Sequence, residues 1–418
     1  MKSDGHHRPQ LTGALDSVWI LYLIILFSIL NPILRVDKAN PFTLYRILAP
    51  ILACYYIYFS KSNINTFGLF SLLLIYNIIV TSVSGYSTIY SNVYMIHYLY
   101  LFILFFFITV IKNKLNEKFD EKMFLFFRYI TYFIYTIFFI KFFFKLNVFY
   151  NFDSLYYINT FYSTPNDLAL SLSAIFAIFL CNTSVSRVEK IINIAIIFFI
   201  NYYNDAKAAI LAQFIIISTY LLVLLFKRFH KHRSIILAGI TSSFILLAVS
   251  IKNFAFKFKY GEITFSDFIV TPFLRILELE PYRLMGSIYD RADVAIFALI
   301  EFCKSFGLGM GAGASIEVLK LDYYSTSSAK SLHNFLLEWL VEFGWLAVIL
   351  YILVFILFYR SLKKINTPAP IELVVILPSI PLLSVSQSSG YISNYLFWAI
   401  IFYVFIKTIY SPLNKKSV

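Results

Sequence analysis

Six histidines occur in the 418 residues, and one of them stands where a general base would be useful. His333 closes a long polar stretch, is followed directly by Asn334, and precedes a run of apolar residues. A neutral imidazole, with an ordinary pKa of about 6.5, accepts a proton from a hydroxyl at neutral pH. Arg275, Arg283 and Arg291 lie in the same polar stretch. Guanidinium groups grip phosphate oxygens through paired hydrogen bonds, and cations stabilise a phosphorylated leaving group. Lys207 is a further candidate cation, and Glu342 a candidate buried partner for a basic residue. The plainer reading of His333 is an interfacial residue that caps a helix or bonds locally. His6 and His7 fall in the N-terminal tail and His230 and His232 in a basic run, so only His97 and His333 come near the same face. Cys54, Cys181 and Cys303 show no CxxC or metal-type spacing, so neither a disulfide framework nor a zinc site is expected.

The elements that position these residues are set by composition. The chain is 60% hydrophobic, 20% aromatic and 14% charged, whereas soluble domains run at about 45–50% apolar and about 25% charged. So few charged residues cannot coat a soluble protein of this size, and the apolar residues come in long uninterrupted blocks. A soluble enzyme, a disordered chain and a fibre are excluded. The fold class is an all-α polytopic membrane protein. Crossing a bilayer core takes about 20 apolar residues, and such blocks fall near 17–34, 42–59, 66–84, 94–111, 124–144, 166–181, 190–202, 206–226, 234–251, 334–358, 371–384 and 392–410. That makes about twelve transmembrane helices. The first is expected to be retained, since no small-residue cleavage site follows it. Pro378 and Pro381 predict a kinked or partly re-entrant eleventh segment.

Basic residues mark one side. Lys112, Lys114, Lys118 and Lys122, then Arg187 and Lys190, then Lys227, Arg228, Lys231 and Arg233, then Arg360, Lys363 and Lys364 occupy alternate connections. The intervening connections near 85–93 and 385–391 carry no charge. Cytoplasmic loops collect Lys and Arg, which places both termini inside. The net charge of +13 therefore reflects orientation and contact with acidic membrane lipid, with no nucleic acid implied. The chain divides into an N-terminal bundle of about nine spans (1–251), an outer loop (252–332) and about three C-terminal spans (333–418). The loop holds nine basic and nine acidic residues. Its residues 288–306 follow a helical rhythm, which predicts an interfacial amphipathic helix. A flexible, close-approach turn rich in glycine is expected to follow.

Several segments carry a resemblance. Ser331-Leu332-His333-Asn334-Phe335 through Glu342-Phe343-Gly344 resembles the His-Asn-x9-Gly signature of the O-antigen polymerase (Wzy) and O-antigen ligase superfamily. Gly307-Leu308-Gly309-Met310-Gly311-Ala312-Gly313 resembles the glycine-rich turn ahead of that histidine. Arg291 matches the arginine of the family's loop helix, and Pro165-Asn166-Asp167-Leu168-Ala169 is similar to its Pro-Asn-x-x-Ala element. The family plan, with a long periplasmic loop between spans 9 and 10, agrees with the spacing read above.

The resemblance implies a metal-independent, cofactor-free glycosyltransferase of the bacterial inner membrane, working at the periplasmic face in lipopolysaccharide or other polysaccharide biosynthesis. Its donor and acceptor are glycans on undecaprenyl diphosphate, and a chain-length regulator is an expected partner. His333 and Arg291 take the catalytic roles. Arg283, Arg275, Lys207 and Asn334 are expected at the substrate, with Asn334 holding either the helix start or the imidazole. Glu342, Gly344, Asn166 and Asp167 are expected as structural support. Two departures stand out: Lys207 replaces an arginine and so loses the bidentate fork, and Ala347 stands where ligases tend to have Gly, Thr or Tyr. Both favour the polymerase. The alternatives are a ligase moving polymer onto the lipid A core, and a lipid-linked oligosaccharide flippase.

Overall fold

The computed structural model describes residues 18–30, 44–59, 64–84, 89–145, 158, 160, 162, 164–229, 255–258, 261–264, 287–319, 332, 334–363, 371–385 and 394–410. Their regular structure is helical, apart from an antiparallel hairpin of Ala255–Phe258 (β1) and Gly261–Thr264 (β2), registered Ala255 to Thr264. The expected ninth span, 234–251, lies outside the described residues.

Helices Val18–Ile29 (α1), Leu44–Phe59 (α2) and Ile64–Ser84 (α3) lead into one apolar stretch, Asn92–Phe144, of 53 residues. At 1.5 Å per residue a single rod of that length would reach about 80 Å, far beyond a bilayer core of about 30 Å. It is not one rod. Asn116 adopts φ 47°, and a 3-10 turn, Asn116–Lys118, separates Ile89–Leu115 (α4) from Phe119–Phe144 (α5).

Pro165–Cys181 (α6) begins on a strong local signal. Thr164 accepts the Asp167 N–H at 3.2 Å, and Pro165 opens the first turn, where its missing N–H costs nothing. Every residue of α6 from Asp167 to Cys181 is buried, as expected for a helix that is apolar all round. Arg187–Tyr203 (α7) and Lys207–Arg228 (α8) pack beside it. The second buried helix is Tyr395–Ile409 (α15), capped by Asn394 and packed against α4 and α6.

The remaining elements are Ser287–Lys304 (α9), Ala314–Leu319 (α10), Phe335–Phe343 (α11), Trp345–Lys363 (α12), Glu372–Ile376 (α13) and Ile380–Val385 (α14). Helix α12 buries only Ala347 and Ser361 and exposes Ile349, Ile352, Leu353 and Phe355. Helix α3 likewise exposes Ile75, Ile78, Ile79 and Val83. Such surfaces call for an apolar environment. Three stretches, Asn92–Phe144, Lys207–Arg228 and Trp345–Lys363, are long and apolar enough to cross a membrane, and five apolar helices are shorter.

Three sequence expectations are corrected. The segment 334–358 is two helices, broken at Gly344 between α11 and α12. The amphipathic helix of the loop is present as α9, but its buried stripe of Val294, Phe297, Ala298 and Glu301 docks onto α11. It therefore serves as a protein contact in addition to any interfacial role. Helix α7 is longer than the 190–202 expected. In the segment 371–384, expected to be kinked or partly re-entrant, a 3-10 turn, Leu377–Ser379, holds Pro378 between α13 and α14.

The bundle has a basic end. There Lys407 near the end of α15 donates to Glu372 at 2.7 Å and meets Asp120 at 2.5 Å, while the Tyr403 hydroxyl also donates to Asp120. Lys190 of α7 donates to the Leu180 carbonyl of α6 at 2.7 Å. One cation thus ties the starts of α5 and α13 to the end of α15. Glu372 is buried at 5% exposure, so removing its partner strands a charge, at a cost of about 3–5 kcal/mol. Lys407→Met should lower the thermal midpoint of the detergent-solubilised protein by several degrees, and Lys407→Met with Glu372→Gln should recover most of it. An unchanged midpoint in the single variant would remove this latch from the account.

Candidate functional site

Helix α9 runs out into the glycine turn. Phe306 takes φ 52°, and Gly307, Gly309, Gly311 and Gly313 take φ 73°, 85°, 91° and 73°, a region that favours residues without Cβ. The backbone N–H groups of the turn are all engaged. Gly307 donates to Phe302 O at 2.9 Å, Leu308 to Ser305 O at 3.0 Å, and Gly309 to Ser305 Oγ at 3.3 Å. Met310 donates to Val341 O at 2.9 Å, Gly311 to Glu342 O at 3.0 Å, Ala312 to Asn77 Oδ1 at 3.0 Å, and Gly313 to Glu342 Oε1 at 2.8 Å. Glycine-rich turns often cradle phosphate with free N–H groups. This one has none to offer. It is a pinned structural element, which corrects the expectation of flexibility while bearing out close approach.

Glu342 does most of the pinning. It is wholly buried, at 0% exposure. Oε1 accepts from Gly313 N–H and, at 2.9 Å, from the Ser315 hydroxyl. Oε2 accepts the Tyr98 hydroxyl at 3.1 Å. The donors to Glu342 among the described residues are all neutral, and the basic partner that the sequence suggested is not among them. Three uncharged donors serve a carboxylate well enough to hold it in a low-dielectric site.

The opposite wall of the turn is α3. Tyr76 Oη donates to Leu308 O at 2.7 Å, Asn77 accepts from Ala312, and Ser84 Oγ donates to Met310 O at 2.7 Å. A Cβ placed on Gly311 would run into Thr81. Gly344, φ 54°, ends α11 with equal economy: Trp345 N–H donates to Gly307 O at 2.7 Å, and a Cβ on Gly344 would strike that same carbonyl. The helix break is therefore the contact point between the turn and α12.

Asn334 caps a helix. Its Oδ1 accepts the Leu336 and Leu337 N–H groups at 3.1 and 3.2 Å, so it holds the start of α11. Phe335 follows, packed on Phe397 at 6.2 Å and Trp398 at 5.8 Å near the start of α15. On the other side of that start, Asn394 Nδ2 donates to Asp167 O at 2.8 Å and Oδ1 accepts the Ser171 hydroxyl at 2.7 Å. Asp167 is buried, with Asn166 beside it in the first turn of α6. Ala169 packs with Ala206 and Ala209, which brings the start of α8 alongside. Lys207 there sits 3.6 Å from Asp205. The starts of α6, α8, α11 and α15 thus share one end of the bundle, opposite the basic end.

No family model, curated protein or solved structure matches this chain. The site must be read from its own residues. His333, Arg275 and Arg283 lie outside the described residues, and Arg291 falls within α9 with its side chain outside them. Glu342 and Gly344 come together with the glycine turn, Asn334 sits at the other end of α11, Asp167 meets the start of α15 through Asn394, and Lys207 lies at the start of α8 beside α6. Sequence reasoning missed Tyr76, Asn77, Thr81, Ser84, Tyr98 and Ser315. The signal was present in part: Asn77, Thr81 and Ser84 recur at i, i+4 and i+7 on an otherwise apolar helix.

Glu342→Gln keeps the shape but turns an N–H toward one of the donors. It should cost about 1.5–3 kcal/mol locally and speed amide hydrogen exchange across 307–315. Asn77→Ala should act in the same place by stranding the Ala312 N–H, at about 1–3 kcal/mol. Wild-type exchange in both variants would mean that the turn is held by something else.

Proposed function

We propose that the chain is a metal-independent integral-membrane glycosyltransferase of the O-antigen polymerase type, with about twelve spans and both termini in the cytoplasm. It transfers a growing glycan from undecaprenyl diphosphate onto a lipid-linked repeat unit at the periplasmic face. The observation that carries this reading is convergence. Pro165–Ala169 meets the start of α15 through Asp167 and Asn394, Phe335 beside Asn334 packs on that same start, and Gly307–Gly313 packs against Gly344 at the other end of α11.

The chemistry follows from the parts. An acceptor sugar hydroxyl attacks the anomeric carbon, a new C–O bond forms there, and the bond to the diphosphate oxygen breaks. The hydroxyl proton passes to the His333 imidazole, and the electron pair leaves on the diphosphate. With every N–H of the glycine turn spent internally, stabilising that leaving group falls to side-chain cations. Arg291 is the first choice, as it lies on the helix that leads into the pinned turn, with Arg283 and Arg275 on the same loop. Lys207 shares its charge with Asp205, which together with its single-point geometry makes it a secondary contact. Asn334 caps α11 directly after His333 in the sequence.

His333→Ala should abolish polymer formation with the protein still present in the membrane, and Arg291→Lys should cut it at least tenfold because a point charge replaces a planar fork. Normal chain lengths in the His333 variant would sink the catalytic role. Deleting the gene and resolving surface lipopolysaccharide on a gel separates the alternatives. Cores bearing a single repeat mean polymerase, bare cores with polymer left on the carrier mean ligase, and repeat units retained inside the cell mean flippase.

A further inference from the structure

Away from that site, a cleft of about 460 Å³ runs along α5 beside α7, lined by Tyr132, Tyr135, Thr136, Phe139, Phe143 and Ile196 among others. The lining residues of α5 repeat at three- and four-residue intervals, so the cleft follows one face of the helix. From Tyr132 to Phe144 it extends about 18 Å at 1.5 Å per residue, a little over half of a bilayer core of about 30 Å. Its floor is aromatic. Phe139 stacks on Phe143 at 6.0 Å and on Phe199 of α7 at 6.4 Å.

The two ends differ. At the Tyr132 end, Arg128 Nε meets Glu189 at 2.9 Å and the Tyr132 hydroxyl donates to Glu189 at 2.6 Å. That cluster satisfies itself beside the Tyr132 end of the cleft. The other end opens beyond Phe144 at Lys145, which is exposed, in the left-handed conformation, and has no ion-pair partner among the described residues. Lys141, one turn earlier, is directed inward and donates to Thr160 O at 3.0 Å. Among the described residues, Lys145 is thus the exposed cation next to the open end of this aromatic groove.

We infer that this cleft binds one acyl chain of an anionic glycerophospholipid of the outer leaflet, with the lipid phosphate at Lys145. The length fits the hydrocarbon of a single leaflet and is much too short for a polyprenyl chain, so the occupant is distinct from the carrier lipid of the proposed reaction. The charge fits as well, since a basic residue at the interface attracts an anionic headgroup. The inference rests on the orientation given above, in which the end of α5 faces outward.

The test uses the full chain in liposomes containing phosphatidylglycerol made photoreactive either near its ester or at the tail end, with labelled peptides mapped by mass spectrometry. The ester probe should label Phe143–Lys145 and the tail probe Tyr132–Phe139. Lys145→Glu should reduce both about fivefold, and Ile196→Trp, which fills the cleft, should do the same. Labelling of the exposed α12 residues Ile349–Phe355 should stay unchanged in both variants. Labelling of the cleft no stronger than that of α12, or insensitive to both variants, would overturn the site. Displacement by polyprenyl phosphate at equal concentration would overturn the occupant. The two probes mapping in reverse order would overturn the orientation and leave the polymerase chemistry to be judged on its own assay.

Discussion

A carboxylate with no exposure to solvent holds this site together. Glu342 reaches from the end of α11 to the glycine turn, to α10 through Ser315 and to α4 through Tyr98. Its own backbone carbonyl accepts Gly311 N–H. A buried carboxyl group is tolerated only when its hydrogen-bonding capacity is met, so the four elements are bound to one mutual geometry. Gly344 makes the approach possible, because any side chain there would meet the Gly307 carbonyl. The turn, the break between α11 and α12 and the start of α11 are then a single arrangement.

That arrangement decides what the turn can do. With each N–H between Gly307 and Gly313 already committed, the glycines serve close packing of backbone on backbone, and the turn has no free N–H with which to hold a phosphate. Opposite, Lys407 binds Asp120 and Glu372 across three elements. The bundle thus has one end that is fastened by charge and another that gathers the candidate chemistry. Helix α6, buried from Asp167 to Cys181, and the largely buried α15 connect the two.

Legibility in the sequence followed locality. The start of α6 was readable because Thr164, Pro165 and Asp167 encode it within four residues, and the 3-10 turn at Pro378 because proline lacks the N–H a helix needs. The glycine turn was legible as close approach but not as rigid, since its partners sit more than two hundred residues away on α3. The break at Gly344 was missed for a similar reason: an apolar run hides a turn whose cause is a carbonyl from another segment. Glu342 was given a basic partner because a buried acid usually has one; neutral donors from three segments cannot be foreseen without the fold. The expected bases and cations His333, Arg275 and Arg283 fall outside the described residues, so only their scaffold bears on them here.

The central claim is that this scaffold supports glycan transfer from a lipid diphosphate without a metal. Its most direct measurement is turnover by the purified full chain in proteoliposomes, supplied with an undecaprenyl-diphosphate-linked repeat unit and excess chelator, with products resolved by length. The account predicts a ladder of whole repeats and release of undecaprenyl diphosphate in proportion to the linkages formed. An unchanged repeat unit, or elongation that ceases when chelator is added, would contradict it.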